Sequence, residues 1–164
     1  MMDLPTNTTD RLLAVADIIE LNPDVYRQGQ WWSRVADGDD EFNPDPGTVV
    51  GLGPVCGTVA CIAGWGVALS TEIPAHFLRC EGDWDNAGAY ALGLDYELAE
   101  YLFECCVDTA LGGNAEVADV LRRLAKLPLG ERTIGRAREV LTDAQYDALF
   151  VEDEDQEDDD DDDA

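Results

Sequence analysis

A chain of 164 residues with 46% apolar side chains has the size of one domain and can hide roughly 70% of its unfolded surface, so its body is not a disordered polyelectrolyte. Acidic residues number 36 against 10 basic ones, a net charge of −26, which argues against direct binding to DNA, RNA or an anionic membrane, because neutralising phosphates takes clustered Lys and Arg. No apolar run of about 18 residues marks a membrane span, and Met1-Met2-Asp3-Leu4-Pro5 lacks the basic and apolar segments of an export signal, so a cytoplasmic protein is expected.

Thr8, Thr9 and Asp10 are candidate caps for a helix over Arg11–Glu20, with Leu12, Val15, Ala16 and Ile19 on one face. Asn22-Pro23 stops it, and Pro23–Tyr26 suggests a short helical turn before Gln30-Trp31-Trp32. Residues 33–55 are rich in Asp, Gly and Pro and are predicted to be a long surface loop, with a short ribbon near Val49-Val50. Asp37, Asp39 and Glu41 alternate there as if for calcium. Phe42 replaces the Gly that an EF-hand needs at position six and Thr48 the Glu at position twelve, which excludes that motif.

The next helix is predicted over Val59–Ser70 with Thr58 as N-cap. Pro74 opens a short segment, Ala75–Cys80. Asp85 or Asn86 caps Ala87–Leu92, which Gly93 closes, and Asp95 caps Tyr96–Phe103 with Leu98, Tyr101 and Leu102 on one face. After Gly112-Gly113, Asn114 caps a helix to Lys126 with an apolar stripe of Val117, Val120, Leu121 and Leu124. Thr133–Leu141 and Asp143–Phe150, the latter capped by Thr142, complete the set. Almost nothing alternates with period two. The expectation is an all-α compact bundle of six or seven short helices spanning residues 1–151. Residues 152–164, which hold 11 of the acids, are expected to form a disordered acidic tail.

Five cysteines (Cys56, Cys61, Cys80, Cys105 and Cys106) are an odd count with no export signal, which favours thiols or a metal site over a disulfide framework. Three readings stand. With Thr58 as N-cap, Cys61 would occupy the third helical position, where unpaired N–H groups favour a reactive thiolate. Alternatively, Cys61, Ala63, Gly64 and Ala68 make a small-residue face that admits another helix, with the thiol inert. The third is zinc: Cys56-x4-Cys61, then His76-x3-Cys80, has the order and spacing of structural zinc ligands.

Cys56-Gly57-Thr58-Val59-Ala60-Cys61-Ile62-Ala63-Gly64-Trp65 resembles the signature of a family of small actinobacterial and actinobacteriophage proteins, Cys-Gly-Thr-x-x-Cys-Ile/Leu-Ala-Gly-Trp/His. Arg27-Gln28-Gly29-Gln30-Trp31 and the Leu92-Gly93-Leu94-Asp95 helix start resemble it too. The resemblance implies no particular activity.

No phosphate loop, G-x-S-x-G or H-E-x-x-H occurs, so nothing assigns a catalytic residue. The sequence points to a non-enzymatic, cofactor-free protein whose acidic surface engages a basic protein, in its sharpest form as a nucleic-acid mimic acting on a host or defence protein in the host cytoplasm. Trp31, Trp32, Asp37, Asp39, Asp40 and Glu41 are the candidate partner-binding residues, an exposed Trp in an acidic setting being a fair anchor. The other arrangement has Trp31 and Trp32 packed inward. The alternative function is a zinc- or thiol-dependent structural or redox module built on Cys56, Cys61, His76 and Cys80.

Overall fold

In the computed structural model the described residues are 4–28, 32–34, 46–53, 58–78, 84–104 and 106–151. They form an all-α fold of nine helices: α1 (Thr8–Leu21), α2 (Pro46–Val49), α3 (Ile62–Ala68), α4 (Trp84–Leu92), α5 (Tyr96–Phe103), α6 (Val107–Leu111), α7 (Asn114–Leu124), α8 (Ile134–Ala137) and α9 (Asp143–Phe150). Short 3-10 turns at Pro23–Val25 and Ala75–Phe77 complete the helical content.

The amphipathic helices fall where periodicity places them. Asn7, one residue before the expected caps, closes the start of α1 by accepting from the Asp10 N–H. The predicted stripes of α1 and α7 are fully buried, and the two helices pack on each other. Each Leu or Val so buried contributes roughly 1.5–3 kcal/mol. Asp95 caps α5, and Thr142 with Gln145 forms a capping box on α9.

Three expectations need correcting. Thr58 does not cap α3: Thr58–Val59 is a strand (β2) paired antiparallel with Ser33–Arg34 (β1), in register Ser33 with Val59 and Arg34 with Thr58. α3 therefore starts only at Ile62. The ribbon lies there and not near Val49-Val50, since Val49 ends α2. The predicted loop 33–55 thus holds a strand and a helical turn, and Val107–Leu111, where the sequence suggests no element, is helical as α6.

All seven residues of α3 are buried. It crosses α4 closely because both helices carry glycine at the contact. A Cβ on Gly88 would lie 2.6 Å from Ala63 Cβ and 3.0 Å from its Cα, and one on Gly66 would lie 2.8 Å from Leu92 Cγ.

α4 ends in a Schellman motif: Gly93 adopts φ +63°, and Leu94 N–H reaches back to Ala89 O at 3.0 Å. Two further carbonyls at this end are taken by arginines. Arg11 donates to Ala91 O, and Arg132 donates to Leu92 O at 2.9 Å. Arg132, 1% exposed, also donates to Leu127 O, Thr8 Oγ1 and Thr9 Oγ1, joining α1, α4 and the α7–α8 connection.

Candidate functional site

The start of α3 is where the two sequence motifs meet. A buried helix N-terminus must satisfy its leading N–H groups from within the protein. Cys61 is the N-cap, its Sγ accepting from Gly64 N–H at 3.4 Å. Gln28 supplies a second acceptor: its Oε1 takes the Ile62 N–H at 3.4 Å and the Tyr26 hydroxyl at 2.9 Å. The Gln28 amide N–H in turn donates to Leu102 O near the end of α5. Ala60 pairs with the 25–27 segment, donating to Val25 O and accepting from Arg27 N–H. Trp65 Nε1 donates to the same Val25 carbonyl at 3.2 Å.

This arrangement overturns the thiolate expectation. Cys61 has no exposed surface, and burial pushes its thiol up to about 12. The backbone N–H groups pull the other way, but loss of hydration outweighs them. The sulfur serves as an acceptor and a packing atom.

Of the four zinc-ligand candidates, Cys56 and Cys80 lie outside the described residues. Cys61 is enclosed in the core, while His76 is exposed on the Ala75–Phe77 turn with its ring 4.0 Å from that of Phe77. Among the described residues, no three His, Cys, Asp or Glu side chains could together hold a metal ion.

Of the candidate partner-binding residues, Trp31, Asp37, Asp39, Asp40 and Glu41 also lie outside the described residues. Trp32 is described, and it is 3% exposed, packed edge-on to Trp65 with ring centroids 5.7 Å apart. That corrects its assignment as an outward anchor.

The charge is segregated in a way that residue counts alone hide. Between Arg34 and Arg122 the sequence holds sixteen acids and a single base, Arg79. The ion pairs among the described residues lie elsewhere in the sequence: Arg122 pairs with Asp17 and Glu20, Arg123 with Asp119, and Arg136 with Glu131 and Glu139. Arg138 lies over the Tyr146 ring at 5.1 Å.

Helix α5 receives none of this compensation. Glu97, Glu100 and Glu104 are exposed at spacings of three and four, hence on one face, beside the exposed cap Asp95. None of these four carboxylates has an ion pair among the described residues. Asp85, in the first turn of α4, feels one of them: partial burial and then the nearby Glu100 raise its carboxyl above the usual range. Glu100 likewise raises the Tyr96 phenol. Compositional reasoning missed this face because it put the acidic site in the loop around 37–41. The signal available was the Asp95, Glu97, Glu100, Glu104 spacing on an amphipathic helix.

In comparisons with protein-family models, curated proteins and solved structures, nothing matched this chain. Among the described residues, no helix is long and apolar enough to cross a membrane.

Proposed function

We propose that this is a non-enzymatic binding protein of the cytoplasm, using the acidic α4–α5 face to engage a basic protein, in its sharpest form by occupying a groove that otherwise holds nucleic acid. The observation that carries the reading is uncompensated repulsion. Glu97, Glu100 and Glu104 share one face of α5 and Glu100 bears on Asp85, while the ion-paired arginines among the described residues, Arg122, Arg123 and Arg136, serve other carboxylates. Like charges at helical neighbour spacing cost a few tenths of a kcal/mol each, and a cationic partner would turn that cost into attraction. The acids around 37–41 and in 152–163 would extend the field and speed encounter.

The test is capture of a partner by the tagged full chain from host lysate. The double variant Glu97→Lys, Glu100→Lys should lose the partner, whereas the same charge change at Asp24 and Asp147 should weaken capture less. Duplex DNA should compete, and binding should fall steeply from low to half-molar salt. Recovery of the same partner set at both salt concentrations counts against the reading. A chain ending at Val151 separates the contribution of the tail from that of the body.

A further inference from the structure

Arg11 and Arg132 are buried, 6% and 1% exposed, and neither has a carboxylate partner among the described residues. Burying an unpaired guanidinium is costly unless its donors are used. For Arg132 they are: Nε donates to Leu127 O, Nη1 to Leu92 O and Thr8 Oγ1, and Nη2 to Thr9 Oγ1. Its role as a clamp on the end of α4 accounts for its burial. Arg11 is different. Nη1 donates to Ala91 O, Nε is buried with no partner at all, and Nη2 makes no hydrogen bond. Nε and Nη2 form the edge through which a guanidinium takes a carboxylate by two parallel hydrogen bonds.

Arg11 is among the residues that line a cleft of about 760 Å³, within the range of small-molecule sites, although its Nε has no contact with solvent. Arg11 lines it together with Tyr90, Leu129, Thr71, Glu72 and Asp95. Tyr90 is 47% exposed and stands in a row of rings, 5.5 Å from Phe77, which is 4.0 Å from His76. Leu129 is also exposed. The cleft therefore offers two arginines, Arg132 committed to its clamp and Arg11 with spare donors, an aromatic and aliphatic wall, and two carboxylates.

We propose that this cleft binds a small organic monocarboxylate, its carboxylate on the Nε/Nη2 edge of Arg11 and its apolar body against Tyr90 and Leu129. Binding requires the guanidinium to turn about its single bond to Ala91 O so that Nε and Nη2 face the cleft. A single negative charge fits because Glu72 and Asp95 offset Arg11 and Arg132, which leaves no surplus positive charge for a second anionic group in a molecule already at −26. The body of the ligand must be apolar to use a wall that water solvates poorly. This site meets the acidic face at Asp95 and does not rest on the basic-partner reading.

The probe is benzoate, titrated into the ¹⁵N-labelled full chain to roughly 20 mM, which covers millimolar affinities, with the arginine Nε–H signals observed. One signal, absent in Arg11→Lys, should shift saturably, and the Tyr90 ring signals should move with it. Inorganic phosphate should need a higher concentration for any effect. Tyr90→Ala should weaken benzoate by roughly threefold or more, and Glu72→Gln should tighten it by about twofold, each a fraction of the tenfold that 1.4 kcal/mol gives. These two rim variants keep the test decisive should Arg11→Lys fail to fold. No saturable shift of the Arg11 signal overturns the proposal, as do tighter binding of phosphate than benzoate and indifference to both rim variants. Benzoate affinity should hold or rise with added sodium chloride, opposite to the basic-partner reading, so the two can fail separately.

Discussion

At the scale of single residues, one sulfur shows how burial decides chemistry. A helix start normally lowers a thiol pKa, yet Cys61 has no contact with water, and desolvation holds it protonated to about 12 against the ordinary 9.0. The sign of the linkage follows. Between those values the folded thiol keeps its proton and the unfolded chain gives it up, so stability is whole below pH 9 and lost as pH rises. The loss approaches about 1.4 kcal/mol per unit at most. Urea unfolding at about pH 8 and pH 10 should show that fall, and Cys61→Ala should flatten it. The Tyr26 phenol, raised first by burial and then by Asp108 and Cys61, adds a fall of the same sign only at higher pH. In the native protein, iodoacetamide should label exposed Cys106 well before Cys61.

Between elements, close approach and like charge set the terms. Gly88→Ala puts a methyl 2.6 Å from Ala63 Cβ and 3.0 Å from Phe103 Cε2. Neither α3 nor α4 can retreat, because α3 is buried on every side. We expect a loss of about 1–3 kcal/mol, the usual cost of overpacking, measured as a lower urea midpoint with an unchanged slope. A midpoint equal to the parent protein's would mean that the α3–α4 contact is loose. On α5 the expected sign is reversed. Glu100→Gln keeps helix propensity and an acceptor while removing the charge that bears on Asp85 and Tyr96. Stability at neutral pH should rise by roughly 0.5 kcal/mol, in the range of part-exposed charge interactions, and the Asp85 carboxyl should titrate at lower pH by NMR. The parent chain should gain stability from Asp85 as pH falls through its raised folded pKa, because the native state binds that proton more tightly. An Asp85 titration unmoved by Glu100→Gln would remove the repulsion from which the acidic face is argued.

Taken whole, the molecule carries its self-repulsion as a salt response. Net charge is −26 for the full chain and −15 without the eleven acids of 152–163, while the ion pairs among the described residues involve only Arg122, Arg123 and Arg136. Screening should relieve more repulsion than attraction. Raising sodium chloride from tens of millimolar to half-molar should lift Tm by roughly 3 °C, about 1 kcal/mol at this size. A chain ending at Val151 should gain less. Scanning calorimetry of both forms measures it, and a flat or falling Tm would mean that the arginine pairs dominate.

Where structure is local, the sequence alone determined it. The stripes of α1, α5 and α7, the Asp95 and Thr142 caps and the closing turn at Gly93 are written in spacings of three and four and in residues whose side chains or φ angles suit a helix end. The near absence of period-two alternation likewise pointed to the all-α fold. Only tertiary structure decided what residues far apart in the chain do to one another. Thr58 looked like a cap until pairing with Arg34 drew it into a strand and passed the cap to Cys61. Sequence left Trp32 either outward or packed inward, and its edge-on packing against Trp65 decides for inward. Gln28, Arg11 and Arg132 carry no local signal, since each has a hydrogen-bond partner tens of residues away on another element. The physical reason is the same in each case: helix periodicity is a property of neighbours along the chain, whereas burial and its electrostatic consequences exist only once distant segments exclude water together.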